Sequence, residues 1–301
     1  MIFKFAPILR PMIWGFELWV MSGYPERIST VSEGPCEGMT INELVAAEKE
    51  ALVGRKVYEQ FGDEFPLLIK FIGAKQNLSI QVHPDEALAQ KRHNGHGKTE
   101  MWYVINTEPG AHLYSGLSVQ IDSAEYERRI ADDSIVEVLA DHKIAPGDVF
   151  FLPAGRVHAI CGGTYLAEIQ QTSDLTYRIY DYGRPGADGK PRQLHTELAK
   201  DAIDYRVYED YRTVFTPCPD KEVELVRCPY FTTSLYDLDK PLSQDLSGLD
   251  SFLVVMCLEG EGSVDGVAIK ADECLLVSAS QSSVTFTPAE GTEMKLLTSH
   301  L

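Results

Sequence analysis

Long apolar runs are absent from this sequence. The longest, such as residues 252–258, fall far short of the roughly 20 residues that a membrane-spanning helix needs, so no span is expected. Residues 1–7 lack the basic start, apolar centre and small-residue cleavage site of a secretory signal, and Arg10-Pro11 interrupts the apolar pattern. The expected location is the cytoplasm. Basic residues are scarce: 27 Lys and Arg against 45 Asp and Glu leave a formal net charge of -18. Nucleic acid and anionic membranes both reward a basic face, so neither is an expected partner. A small anionic substrate stays open, because screening limits distant surface charge to about 8 Å. The six cysteines include no C-x-x-C pair, so neither a zinc knuckle nor a disulfide framework is indicated. Reduced, structural thiols fit better.

What is there can fill a core: 301 residues, 44% of them hydrophobic, make one large domain or two ordinary ones without covalent staples. Nothing in the sequence sets an oligomeric state. Thr40 and Glu43 form a capping-box pattern ahead of helical spacing that runs to Gly54. Residues 65–73 and 78–84 read as strands, and alternation in the second puts Gln81 and His83 on one face. Pro84 ends that ladder and a short helix is expected over 85–90, with His93 and His96 in an exposed loop. Residues 99–105 and 111–117 are expected to pair as a hairpin across Pro109-Gly110. Helices are read at 123–130, in the segment ending at 139 and at 195–205, strands at 164–171 and 176–182, and a turn-rich loop at 183–189. From about Tyr211 onward short strands alternate with turns, which reads as a second, smaller β-sandwich.

One stretch organises the rest. Gly147 to His158 is a buried strand, a tight turn and then a presented histidine, and its pattern, Gly147-x5-Pro153-x-Gly155-x2-His158, resembles a motif of the cupin superfamily, double-sheet jelly rolls that bind metals inside the barrel. A lone histidine after an apolar strand is more often structural. With Gln81, His83 and Glu100 the set changes character: two imidazoles, a carboxylate and an amide oxygen suit Zn²⁺ and leave positions open for water or substrate. Structural zinc would more often be closed with thiolates. The expected fold is therefore mainly β: a cupin-type jelly roll with inserted helices over 1–210, and a smaller cupin-like β unit over 211–301. Laid on the motif, the stretch from Ala271 puts Ser282 where His158 stands, so the second unit is expected to lack the metal.

Four segments narrow the resemblance: Gln-Val-His-Pro-Asp-Glu from Gln81, Gly-Lys-Thr-Glu-Met-Trp-Tyr from Gly97, Pro-Ala-Gly-x-Val-His-Ala-Ile from Pro153, and Ser-Asp-Leu-Thr-Tyr-Arg-Ile-Tyr-Asp-Tyr-Gly-Arg from Ser173. In this order they resemble the type I mannose-6-phosphate isomerases in their short bacterial form, over residues 11 to about 198. The resemblance implies that Gln81, His83, Glu100 and His158 hold zinc, that Arg178 lies beside the reacting carbons, and that Lys98, Glu168 and Asp174 line the pocket. It implies interconversion of mannose 6-phosphate and fructose 6-phosphate through an enediol. Glu168 is the first candidate for the general base and Asp174 the second, although a carboxylate near arginine is commonly a plain ion pair. Lys98, two residues from Glu100, is a candidate for substrate hydroxyls or phosphate, and Arg184 and Arg192 are further phosphate candidates. Phe16 departs from the family, which usually has a second glycine there. Two readings of other kinds stand beside this one. A metal-dependent cupin dioxygenase leaves Gln81, Lys98 and Arg178 unexplained; the other is a non-enzymatic sugar-binding cupin.

Overall fold

The computed structural model describes residues 1–186 and 189–301, so Ala187 and Asp188 of the expected turn-rich loop lie outside the described residues. Contacts group the chain into two compact units. One is Leu9–Leu18 with Phe71–Thr213; the other is Met1–Ile8, Trp19–Lys70 and Val214–Leu301. The sequence division at 210/211 cuts the chain once, whereas these units interleave, because the strands Gly15–Ser22 and Leu67–Ala74 each have residues in both. Among the described residues no helix is long and apolar enough to cross a membrane.

Two sheets matter for the site. A five-stranded sheet runs in the order Tyr177–Tyr180, Ile80–Val82, His158–Ile160, His112–Leu117, Leu139–Lys143. A six-stranded sheet runs Ile8–Met12, Gly15–Ser22, Leu67–Ala74, Thr164–Gln171, Glu100–Thr107, Val149–Leu152. Such a mainly β, cupin-type double sheet with inserted helices is the fold read from the sequence. One cluster of its core gathers Ile80, Val82, Tyr126, Val157, Ala159 and Ile179; another gathers Trp14, Trp102, Phe150 and Leu166. The strand Val149–Leu152 pairs with Glu100–Thr107. The turn at 153–157 then carries the chain into the other sheet, where His158 opens a new strand.

The expected hairpin is corrected. Glu100–Thr107 pairs with Thr164–Gln171 and Val149–Leu152, while His112–Leu117 pairs with His158–Ile160 and Leu139–Lys143 in the other sheet. Pro109-Gly110 does make a turn, with the Ala111 N–H donating to the Glu108 carbonyl. Turn chemistry sets a reversal, but not whether the chain returns to the same sheet or crosses to the facing one. Two helical expectations also shift. The capping box at Thr40 forms, yet Lys49 at φ 49° splits the helix into Ile41–Glu48 and Glu50–Val53. The helix after Pro84 runs Glu86–His93, so His93 ends a helix instead of lying in a loop.

In the second unit, strands including Thr232–Leu238, Leu253–Glu259, Cys274–Val277, Ser283–Pro288 and Met294–His300 gather around Tyr236, Val255, Leu275 and Phe286. Ser282 is exposed there.

Candidate metal centre and catalytic pocket

Strand register assembles the pocket. His158 is the cross-strand partner of Gln81, and Gln81 that of Arg178. Directly opposed residues of an antiparallel pair project to the same face, so three adjacent strands present Arg178, Gln81 and His158 in a row. His83 follows Gln81 by two residues and shares its side. In the other sheet Glu100 opposes Gln170 and Trp102 opposes Glu168, which puts Glu100, Trp102, Glu168 and Gln170 on one face by the same rule.

The two rows meet at Glu100, which is wholly buried. His83 Nε2 lies 3.5 Å from one carboxylate oxygen and His158 Nε2 lies 3.4 Å from the other. The ligand atoms of His83, Glu100 and His158 fall within 4.8 Å of one another, the arrangement a metal ion requires. Each imidazole is oriented from behind: His83 Nδ1 donates to the Leu175 carbonyl and His158 Nδ1 to the Arg156 carbonyl, both at 2.8 Å. That fixes the tautomers and leaves both Nε2 lone pairs toward Glu100. Burial holds the His158 pKa down to about 3, against the partial relief of its bond to Arg156, so near neutral pH the ring is an uncharged donor of an electron pair. Gln81 reaches the same point, its amide nitrogen 3.3 Å from His158 Nε2, and a half-turn of the amide presents its oxygen instead. Lys98 Nζ sits 2.9 Å from Glu100 and 3.1 Å from His83 Nε2. The Lys98 amine thus shares the acceptors on which the two imidazoles converge.

The remaining sequence-derived residues divide. Glu168 is buried and accepts from Trp102 Nε1 at 2.9 Å, and the Trp102 ring stands edge-on to His158 at 5.3 Å. Arg178 anchors Nη1 on the Gln193 carbonyl at 2.8 Å, while its buried Nε has no hydrogen-bond partner among the described residues. Burial, reinforced by Arg192, lowers its pKa. Asp174 is set apart: one third exposed and 3.8 Å from Arg10. Arg184 and Arg192 both bind Asp181, at 2.7 and 2.6 Å. His93 bonds the Tyr177 hydroxyl and His96 bonds Glu86, which leaves them outside the cluster. Sequence reasoning passed over Trp102, although its two-residue spacing from Glu100 was the available signal. It also passed over Arg156, for which no local signal exists.

A double-sheet jelly roll with a buried His–Glu–His group of metal-binding geometry defines a protein of the cupin class. The family described as phosphomannose isomerase type I, catalytic domain, matches residues 12–114. The mannose-6-phosphate isomerase ManA of Bacillus subtilis is 33% identical over 290 residues, covering 86% of this chain and 85% of its own. The mannose-6-phosphate isomerase of Streptococcus mutans is 32% identical over 249 residues, covering 82% and 76%. The crystal structure of the mannose 6-phosphate isomerase from Bacillus subtilis matches with a TM-score of 0.88 at 28% identity, over 100% of this chain and 99% of that one. The chain belongs to the type I mannose-6-phosphate isomerase family.

Proposed function

We propose that this chain is a zinc-dependent isomerase that interconverts mannose 6-phosphate and fructose 6-phosphate through an enediol. The observation that carries the reading is the convergence of His83 and His158, each tied through Nδ1 to a backbone carbonyl, on the buried carboxylate of Glu100. With the Gln81 amide these residues would hold the ion, a borderline nitrogen and oxygen set that suits zinc. When bound, zinc supplies Lewis-acid polarisation of the substrate's carbonyl or hydroxyl oxygen.

The chain's own groups do the rest. Glu168, buried and oriented by Trp102, takes the proton from one carbon and returns it to its neighbour. Asp174, more exposed and facing Arg10, is the second candidate. Arg178 adds fixed positive charge where the enediolate develops, with an Nε that has no partner among the described residues available to substrate oxygen. Lys98 binds substrate hydroxyls or phosphate. Arg184 and Arg192 share one carboxylate, Asp181, and that surplus of positive charge favours the phosphate. Residues 1–210 carry the chemistry in this scheme, and 211–301 form a metal-free β unit. The protein acts in the cytoplasm, without a nucleic-acid or membrane partner.

Metal analysis of the purified protein, paired with an isomerase assay on both sugar phosphates, tests the reading. Stoichiometric zinc with turnover is expected. Iron with oxygen uptake, or tight sugar binding without turnover, would overturn it.

A further inference from the structure

The turn at 153–157 touches the carriers of all three clustered side chains. The Gly155 N–H donates to the backbone carbonyl of His83 at 2.9 Å. The Ala154 N–H donates to Thr99 Oγ1 at 3.3 Å, one residue from Glu100. The Arg156 carbonyl holds His158 Nδ1 at 2.8 Å. A shift of this one turn therefore displaces His83, Glu100 and His158 relative to each other.

Its anchor is the Arg156 side chain, 8% exposed, with the guanidinium carbon 4.7 Å from the centre of the Tyr208 ring and 4.6 Å from that of Tyr211. The two rings meet edge-on, their centres 5.8 Å apart and their planes inclined by 67°, and a planar cation in the corner they form is attracted by both quadrupoles, a fit that lysine does not reproduce. Both rings are tied down. The Tyr211 hydroxyl donates to the Leu117 carbonyl at 2.7 Å, and the Tyr208 hydroxyl donates to Asp204 at 2.7 Å. The Asp204 N–H in turn donates to the Gly155 carbonyl at 2.8 Å. Glycine is required at two contacts. A Cβ on Gly116, at φ +80°, would lie 2.0 Å from the Tyr211 ring, and one on Gly155, at φ +89°, would lie 2.9 Å from the Ala202 carbonyl oxygen.

From this geometry we infer that Arg156, packed against both Tyr208 and Tyr211, is a positioning residue that sets the spacing of the metal ligands through the backbone of the 153–157 turn. It rests on the metal reading above. Arg156 sets how tightly the ion is held, and the chemical step belongs to the residues inside the pocket.

Two measurements on Arg156→Leu and Tyr208→Leu test this. Competition with a chelator reads the zinc dissociation constant, and ¹⁵N NMR of the metal-free protein reads the imidazole of His158. Both variants are expected to bind zinc about 10- to 100-fold more weakly and to shift the His158 Nδ1–H signal. Tyr208→Phe, which keeps the ring but loses the bond to Asp204, should weaken zinc binding less than Tyr208→Leu, and KM at saturating zinc should not change in any of the three. A parent-like zinc constant and imidazole signal in both leucine variants would overturn the inference, and so would a lowered Tm with neither readout moved. If the parent itself binds no zinc, the metal reading fails alone, because the imidazole signal still reports whether the turn holds His158. Should Arg156→Leu not fold, Tyr208→Leu, at a partly exposed position, decides the matter.

Discussion

His158 concentrates the chemistry of single residues. It is buried, neutral, pinned at Nδ1 and aimed at Glu100 through Nε2. His158→Ala should lose both metal and activity, measured by metal analysis and turnover. Ser282→Ala, at the exposed position of the second unit that the motif alignment pairs with His158, should leave both unchanged. Glu168 makes a separate prediction. Replacing the proposed base with glutamine keeps its shape and its acceptor for Trp102 but would remove proton transfer, so Glu168→Gln should lower kcat about 100- to 10,000-fold. Zinc content should stay at the parent level, and a kcat near that of the parent would move the base assignment to Asp174. The four proposed ligands were legible as residue types in motif spacing. That Trp102 orients Glu168 was half legible, through strand alternation.

Elements are where local reasoning failed most usefully. The residues on either side of Pro109-Gly110 both became strands, but in different sheets, because a reversal is local chemistry and sheet membership is not. The same limit hides Tyr208 and Tyr211, which pack on Arg156 in a turn more than 50 residues earlier in the chain. The segment 204–211 carries a pH prediction. Desolvation pushes the Asp204 carboxyl up, but hydrogen bonds from Arg206 and Tyr208 outweigh it and hold the pKa at about 2 against an ordinary 3.8. A depressed carboxylate pKa stabilises the folded state above the unfolded value, and that contribution disappears as pH falls from about 4 through 2. Thermal unfolding across that range should therefore fall less steeply for Asp204→Asn than for the parent.

At the scale of the whole molecule, the chain leaves one compact unit and returns to it, so Met1–Ile8 and Trp19–Lys70 group with Val214–Leu301. Stability in that second unit rests on its apolar interior, where Phe286 is fully buried and packs edge-on to Tyr236 with ring centres 5.1 Å apart. Phe286→Ala should cost about 3–5 kcal/mol in urea unfolding, combining lost burial with the cavity left behind. A loss below about 1 kcal/mol would mean that the site collapses around the missing ring.

The sequence by itself determined the β-rich sandwich class and the family, and it supplied the residue types of the proposed site. Period-two apolar alternation, capping and turn residues, and metal-binding side chains in short motifs are all written within a few positions of one another. Only the tertiary structure decided that Arg178, Gln81 and His158 stand in one row, that Lys98 lies on Glu100, and that Arg156 packs against Tyr208 and Tyr211. Each of these depends on strand register or on packing between distant segments. Those are set by the summed burial of many residues, which no short stretch of sequence contains.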